Sequence, residues 1–251
     1  GFAEEWGYIC PRCGCTVSDR SRLGFRYSKE NQNLNYCPNC GNRDQKLMNV
    51  ARRTCGYIGT NGRSCAKFSG DNPNTTPDAH NLYMYLDEFV RFGCSYASIE
   101  TSSEAFYRGR LQAMQFDLSA YTNITSEHLN IHGSFENYLA CKLQLFRQTK
   151  KDGYCVLNHD DPYFEQVKAV CNGNVLTYGK GEDNDLRIVD FKLYPDHTDV
   201  VFNLMGDEIS FESPLLGDFN VYNLACALLC CDALGFGYGR VSENITELKV
   251  S

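Results

Sequence analysis

From Thr75 onward the apolar positions of the chain switch between two rhythms. Leu82, Tyr85, Leu86, Phe89 and Val90 recur at the three-to-four spacing of one helical face. Thr76 is placed to cap that helix, Pro77 suits its first turn and Gly93 ends it. Strands are predicted at residues 96–99, 118–121 and 154–157. Between the last two, a helix over 135–146 is capped by Ser134 and striped by Tyr138, Leu139, Leu143 and Phe146. Residues 186–193, 200–204 and 208–211 read as short antiparallel strands, joined by turns at Pro195-Asp196-His197 and Gly206-Asp207, and a last helix runs over 221–234 to Gly235. The predicted fold class is α/β, a mostly parallel sheet with flanking helices plus a short antiparallel subdomain.

Polar residues follow the predicted strands at corresponding places: Glu100 after the first, Thr122 and Asn123 after the second, and Asn158, Asp160 and Asp161 after the third. In an open parallel sheet those carboxyl ends face the ligand crevice. The plain alternative is that Asn and Asp simply terminate strands.

The first 56 residues follow neither rhythm. Cys10-Pro-Arg-Cys13 and Cys37-Pro-Asn-Cys40 are two C-P-x-C turns, each followed by Gly. One such turn aims two thiolates at a single cation, and two complete a closed tetrahedral zinc site. Four unrelated thiols are the alternative, and Cys15 is a spare fifth. With little apolar sequence around it, the segment depends on metal for its folding free energy, which makes the zinc structural. The expected domains are therefore a zinc ribbon with its following loop (1–56), an α/β domain (57–240) and a tail (241–251).

Composition narrows the setting. A chain of 251 residues, 43% hydrophobic and 22% charged, is long enough to bury one or two cores. A formal charge of −7 argues against nucleic acid or an anionic membrane as partner, although Arg and Lys are in local excess over the first 53 residues. No apolar run reaches membrane-spanning length and no signal core opens the chain, so a cytoplasmic setting is expected. The start at Gly1-Phe2-Ala3 points to a fragment of a longer protein. Of 14 cysteines, the nine after Cys40 are irregularly spaced and read as small buried hydrophobes.

Two family resemblances meet in this chain. Residues 40–59, Cys-GNRDQKLMNVARRTCGYI-Gly, resemble the C-terminal region of the anaerobic (class III) ribonucleoside-triphosphate reductases, where a four-cysteine zinc ribbon precedes an R-x-C-G-Y loop. The resemblance implies that Cys10, Cys13, Cys37 and Cys40 hold zinc and that Gly56 matches the radical-carrying glycine, against the plainer reading of a turn glycine. It covers about 60 residues and has no counterpart of the large catalytic barrel.

The remainder resembles the central ATP-binding domain of the Mur ligases, a P-loop-like fold, most closely the ligase type that adds the third stem-peptide residue. The matching pieces are Thr75-Thr76-Pro77-Asp78, Ile99-Glu100-Thr101-Ser102-Ser103, the segments 122–133 and 138–146, Asn158-His-Asp-Asp161 and the segment 217–228. The resemblance implies ATP, with Glu100 and His128 as magnesium ligands and Lys142 as a carbamylated lysine, although its pattern alone reads as a solvated helix lysine. It places Thr75, Thr76, Ser102 and Arg110 on the UDP-N-acetylmuramoyl-peptide, and Asn123, Asn158, Asp161, Asn220 and Asn223 on the nucleotide. Glu104 and Asn130 depart from the family's His and Asp.

Gly59-TNGR-Ser64 has the look of the family's phosphate loop, with Thr60 and Gly62 as nucleotide contacts, but too few residues follow for the helix such a loop requires. The preferred alignment makes residues 57–60 a later strand-and-loop segment. Uridine-binding and amino-acid-binding domains have no match here, so another chain would supply them. The expected function is an ATP-dependent amide ligase of peptidoglycan precursor synthesis, incomplete in this chain, with an amino acid as second substrate. A zinc-ribbon docking module and a radical-storing reductase tail are the alternatives.

Overall fold

The computed structural model describes residues 8–9, 16–17, 54–65, 67–125 and 129–236. Two compact units divide them: residues up to Thr75 together with His80–Glu100, and Thr76–Ala79 with the residues from Thr101 onward. Strands β1 (Tyr8–Ile9) and β2 (Thr16–Val17) pair antiparallel, Tyr8 opposite Val17.

The first unit contains β3 (Thr54–Gly59), β4 (Gly62–Cys65), β5 (Phe68–Gly70), helix α1 (Ala79–Arg91) and β6 (Cys94–Ile99). The sheet order is β5-β4-β3-β6; β3 runs parallel to β6 and antiparallel to β4. Leu82, Tyr85 and Phe89 are the buried stripe of α1, and the Phe68 ring lies 6.0 Å from that of Phe89 and 5.0 Å from that of Phe92. The Arg63 guanidinium sits 3.8 Å above the Tyr85 ring and pairs with Glu88 at 3.5 Å, a half-buried arrangement in which the ring face replaces water around the cation.

Four expectations are corrected here. The phosphate-loop alternative for residues 59–64 fails, because Gly59 pairs with Gly62 across a two-residue turn and Gly62 opens a strand, so no helix supplies amide donors to a phosphate. Gly56 is not a turn glycine: it lies inside β3 opposite Ala97. The boundary expected after residue 56 falls within that strand. The helix begins at Ala79, two residues later than predicted, and the Thr76 hydroxyl accepts the Ser102 amide (2.9 Å).

The second unit contains α2 (Ser103–Tyr107), β7 (Phe116–Ala120), α3 (Leu129–His132), α4 (Phe135–Arg147), β8 (Thr149–Asn158), α5 (Phe164–Lys168), β9 (Asn174–Gly179), β10 (Leu186–Leu193), β11 (Thr198–Leu204), β12 (Asp207–Ser213) and α6 (Asp218–Ala233). Ser134 caps α4 as predicted, accepting the Asn137 amide at 3.2 Å. One six-stranded sheet runs β7-β8-β9-β10-β11-β12, parallel from β7 to β10 and antiparallel from β10 to β12. The antiparallel strands thus continue the parallel sheet rather than forming a subdomain, and the predicted strand at 96–99 belongs to the other unit's sheet.

Both faces of this sheet are covered. On one, Val156, Tyr178, Ile188, Val200 and Phe202 pack with Val221, Leu224, Ala225, Leu228 and Leu229 of α6. On the other, Cys155 and Leu157 pack with Tyr138, Leu143 and Phe146 of α4 and with Phe164 and Val167 of α5. Alternate residues of β8 therefore enter opposite cores, as the two-residue period of a strand requires.

A Cβ on Gly56 would overlap the buried Phe89 ring. Gly56→Ala is therefore expected to destabilise the first unit by about 1–3 kcal/mol, the usual cost of overpacking. Urea denaturation checks it, and Phe89→Leu combined with Gly56→Ala should cost less than the sum of the two single changes.

Candidate functional site

In the first unit the parallel pair β3 and β6 ends on a carboxylate. The Glu100 amide donates to the Ile58 carbonyl at 2.8 Å, extending the ladder one step past β6. Its side chain accepts the Thr60 amide (2.9 Å), the Thr60 hydroxyl (3.0 Å) and the Tyr57 hydroxyl (3.4 Å). The Thr60 and Thr75 hydroxyls lie 3.1 Å apart. Gly59 is required beneath this group, since a Cβ there would stand 2.6 Å from Glu100 Oε2 and overlap the Tyr57 hydroxyl. Burial and the neighbouring carboxylate hold the Tyr57 phenol protonated, its pKa above the ordinary value, so it acts as a donor. One carboxylate beside two hydroxyls is a hard-oxygen set that fits magnesium. The Thr60 amide and hydroxyl both donate to Glu100.

In the second unit, Thr76, Ser102 and Arg110 are drawn together. The Ser102 hydroxyl accepts the Ala105 amide as the cap of α2, and Arg110 Nη1 donates to the Thr76 carbonyl at 3.0 Å. Glu104 pairs with Arg108 at 2.6 Å and stands 3.8 Å from Arg110. Next to them His132, buried, meets the Ser103 hydroxyl through Nε2 at 3.0 Å, its ring set edge-on against Tyr107 and Tyr138. Lys142, half-buried on α4, carries its ammonium 5.6 Å from the Tyr138 ring centroid.

A third group gathers at the carboxyl ends of β7, β8 and β9. Asn158 is buried; its amide donates to the Thr122 carbonyl (2.7 Å) and its side-chain oxygen accepts the Asp160 amide (3.0 Å). Asp161 accepts the Ile124 amide (3.1 Å) and the Tyr163 amide (2.9 Å). Both side chains are thus spent on backbone and act by fixing the loops that follow β7 and β8. Tyr121 donates to the Asn158 carbonyl and Tyr178 to the Tyr121 carbonyl; burial raises both phenol pKa values and keeps them donors.

The outward-facing group is Asp160, which accepts the Lys180 amide (2.9 Å) and the Tyr222 hydroxyl (2.8 Å). Burial, then the Asp160 carboxylate, raises the Tyr222 pKa. The His159 ring lies tilted against that of Phe164, with centroids 4.2 Å apart, and meets Asn184 at 3.2 Å. Asn220 donates to the Leu216 carbonyl and Asn223 to Asn220, while Asn123 is exposed. Sequence reasoning placed Asp160 among the polar residues facing the crevice but passed over Tyr222, Lys180 and His159, whose partners lie 20 to 62 residues away. The expected ligands His128, Cys10, Cys13, Cys37 and Cys40 lie outside the described residues. His197, Asp199 and Glu212 form the one mixed histidine and carboxylate cluster with metal-ligand spacing among the described residues.

Polar ends of parallel strands, helices on both faces and an antiparallel edge define an α/β domain of the nucleotide-crevice type. Residues 45–231 match the Mur ligase middle domain, and the chain belongs to that family. It is 30% identical over 211 residues to the UDP-N-acetylmuramoyl-L-alanyl-D-glutamate–2,6-diaminopimelate ligase of Geobacillus thermodenitrificans, covering 82% of this chain and 43% of that protein. It is 37% identical over 202 residues to UDP-N-acetylmuramyl-tripeptide synthetase 2 of Oceanobacillus iheyensis, covering 77% and 39%. A solved diaminopimelate ligase structure superposes with TM-score 0.72 at 28% identity, over 82% of this chain and 43% of its own. The Thermotoga maritima MurF ligase in complex with ADP shares the fold at TM-score 0.61 and 19% identity, over 80% of this chain and 44% of its own. The chain spans about two fifths of the length of these relatives. The family match includes Gly56, and none of these relatives is a reductase.

Removing the Asp161 carboxylate orphans two backbone donors, one of them in a buried bond. Asp161→Ala is expected to cost about 2–4 kcal/mol from two lost charge-assisted bonds, whereas exposed Asp160→Asn should stay within about 0.5 kcal/mol. Chemical denaturation of both variants checks the contrast.

Proposed function

We propose that this chain is the ATP-handling part of a ligase that joins an amino acid to a UDP-N-acetylmuramoyl-peptide through an acyl phosphate. The observation that carries the reading is the Mur ligase middle-domain match over residues 45–231. The polar groups at the carboxyl ends of its parallel strands agree with it. In the proposed reaction a substrate carboxylate oxygen bonds to the γ-phosphorus and ADP leaves. The amine of the amino acid then attacks the acyl carbon, phosphate leaves, and the amine's proton passes to a base.

Bound magnesium would neutralise the phosphate oxygens as charge develops, with Glu100 and His128 as its ligands from the chain. Thr60, Thr75 and Gly59 support Glu100 by orienting its carboxylate. On the nucleotide side Asn158 and Asp161 position loops, and Asp160, Tyr222, Asn123, Asn220 and Asn223 are proposed to face the ligand. Thr75, Thr76, Ser102 and Arg110 are assigned to the muramoyl substrate, and Lys142, as its carbamate, to an added anionic oxygen.

Relatives act with 2,6-diaminopimelate or with L-lysine, so the second substrate is proposed at the level of an amino acid. Binding sites for it and for uridine would come from chain segments or partners beyond this domain. Cys10, Cys13, Cys37 and Cys40 are proposed to hold a structural zinc; β1 and β2 flank residues 10–15 in sequence. No described helix is long and apolar enough to cross a membrane, and a cytoplasmic setting is proposed from the substrates.

Calorimetric titration with a non-hydrolysable ATP analogue and magnesium tests the reading. Saturable, magnesium-dependent binding is expected, weakened at least tenfold in Glu100→Gln, as expected for loss of an ion-ligating carboxylate. Absence of saturable binding, or equal affinity in the variant, would overturn it.

A further inference from the structure

We propose that His197, Asp199 and Glu212 bind a divalent transition-metal ion at the antiparallel edge of the second unit's sheet, with Asp196 orienting the imidazole. His197 immediately precedes β11 and Asp199 is its second residue, so the two lie two positions apart, the period that returns side chains to one side of a strand. Glu212 lies directly opposite Asp199 on β12. One ligand atom from each of the three falls within 4.8 Å of the other two, and His197 Nε2 is 3.7 Å from Asp199 Oδ1. Two ligands of a tetrahedral ion, at bond lengths near 2.1 Å, stand roughly 3.4 Å apart. Glu212 is exposed and its ligand atom already lies within 4.8 Å of the other two.

Two further observations point to a cation. His197 Nδ1 meets Asp196 Oδ1 at 2.8 Å, the outer carboxylate that fixes a metal-bound histidine in the tautomer presenting Nε2. The ring is also held in plane by Tyr194, stacked at 4.3 Å and 13°, and by the Tyr194 amide donating to the His197 carbonyl at 2.9 Å. Facing carboxylates on adjacent strands repel. Asp199 has Lys192 as its neighbour on β10, and that ammonium is shared between the Asp199 carboxylate and Tyr194, whose ring centroid lies 4.9 Å away. One imidazole nitrogen and two carboxylates neutralise a divalent charge and favour a borderline ion such as Zn2+ over Mg2+. The site is independent of the ligase reading, because none of its residues belongs to the clusters assigned above.

The test is calorimetric titration of the full chain with Zn2+ at neutral pH, comparing the parent with His197→Gln, Glu212→Gln and Asp196→Asn. Thiolate binding is common to all four proteins. The parent should take up one more equivalent than His197→Gln, and Glu212→Gln should bind that equivalent at least tenfold more weakly. Asp196→Asn should keep the stoichiometry and lose 10–100-fold in affinity, as outer-shell changes do. Equal uptake at equal affinity by the parent and His197→Gln would overturn the proposal. Should His197→Gln fail to fold by circular dichroism, unchanged binding in Glu212→Gln, altered only at an exposed side chain, would overturn it as well.

Discussion

The second unit depends on the central strand β8 being buried on both faces. Cys155 and Leu157 enter one core and Val156 the other, all with essentially no exposure. A slip of one residue would exchange the two sets and drive each into the wrong layer, so register is fixed by burial on both sides. That register brings Asn158 to the carboxyl edge, where its side chain ties the loop after β7 to the turn after β8. Tyr121 and Tyr178 extend the tie across neighbouring strands. The polar edge is therefore a consequence of apolar packing several ångströms away.

A second constraint governs the first unit, where the parallel pairing of β3 with β6 brings residues 40 apart in sequence to one carboxylate. The hairpin turn at residues 60–61 presents an amide and a hydroxyl to Glu100, and the glycine before the turn leaves room for the carboxylate to approach the backbone. Such a group is preorganised, since the hydrogen bonds that hold Glu100 are already made in the folded chain. The same geometry explains why a G-T-N-G string is a poor guide by itself. A phosphate loop is defined by the helix behind it, and here a strand follows.

Much of the second unit was legible in sequence because its signals are local. The Ser134 cap, the stripe of Tyr138, Leu143 and Phe146, and the alternation around residue 156 each report on near neighbours. What was missed depends on distance in sequence. The antiparallel strands were recognised as strands, yet nothing in residues 186–213 says that β10 also pairs in parallel with β9. Strand 96–99 was recognised too, but its partner was hidden within a segment read as another family's radical loop. Gly56 illustrates the cause: R-x-C-G-Y is a short string, and the reason for its glycine is the Phe89 ring, 33 residues on. Asn158 and Asp161 were identified as site residues from their place, whereas their roles as braces follow only from partners at Thr122, Ile124 and Tyr163.

Glu104 sets the electrostatics of its surroundings. A histidine at this position would be largely neutral near pH 7, whereas Glu104 brings a full negative charge to within 3.8 Å of Arg110. Arg108, one turn further along, is drawn to the same carboxylate at 2.6 Å. Arg110 is the more buried of the two cations, its side chain 19% exposed against 55% for Arg108, so its pairing is the less screened by solvent. With Nη1 already committed to the Thr76 carbonyl, the guanidinium is oriented on one side by backbone and on the other by Glu104. Arg110 is thus well positioned but partly neutralised, and the exposed Arg108 nearby adds a second positive charge to the group.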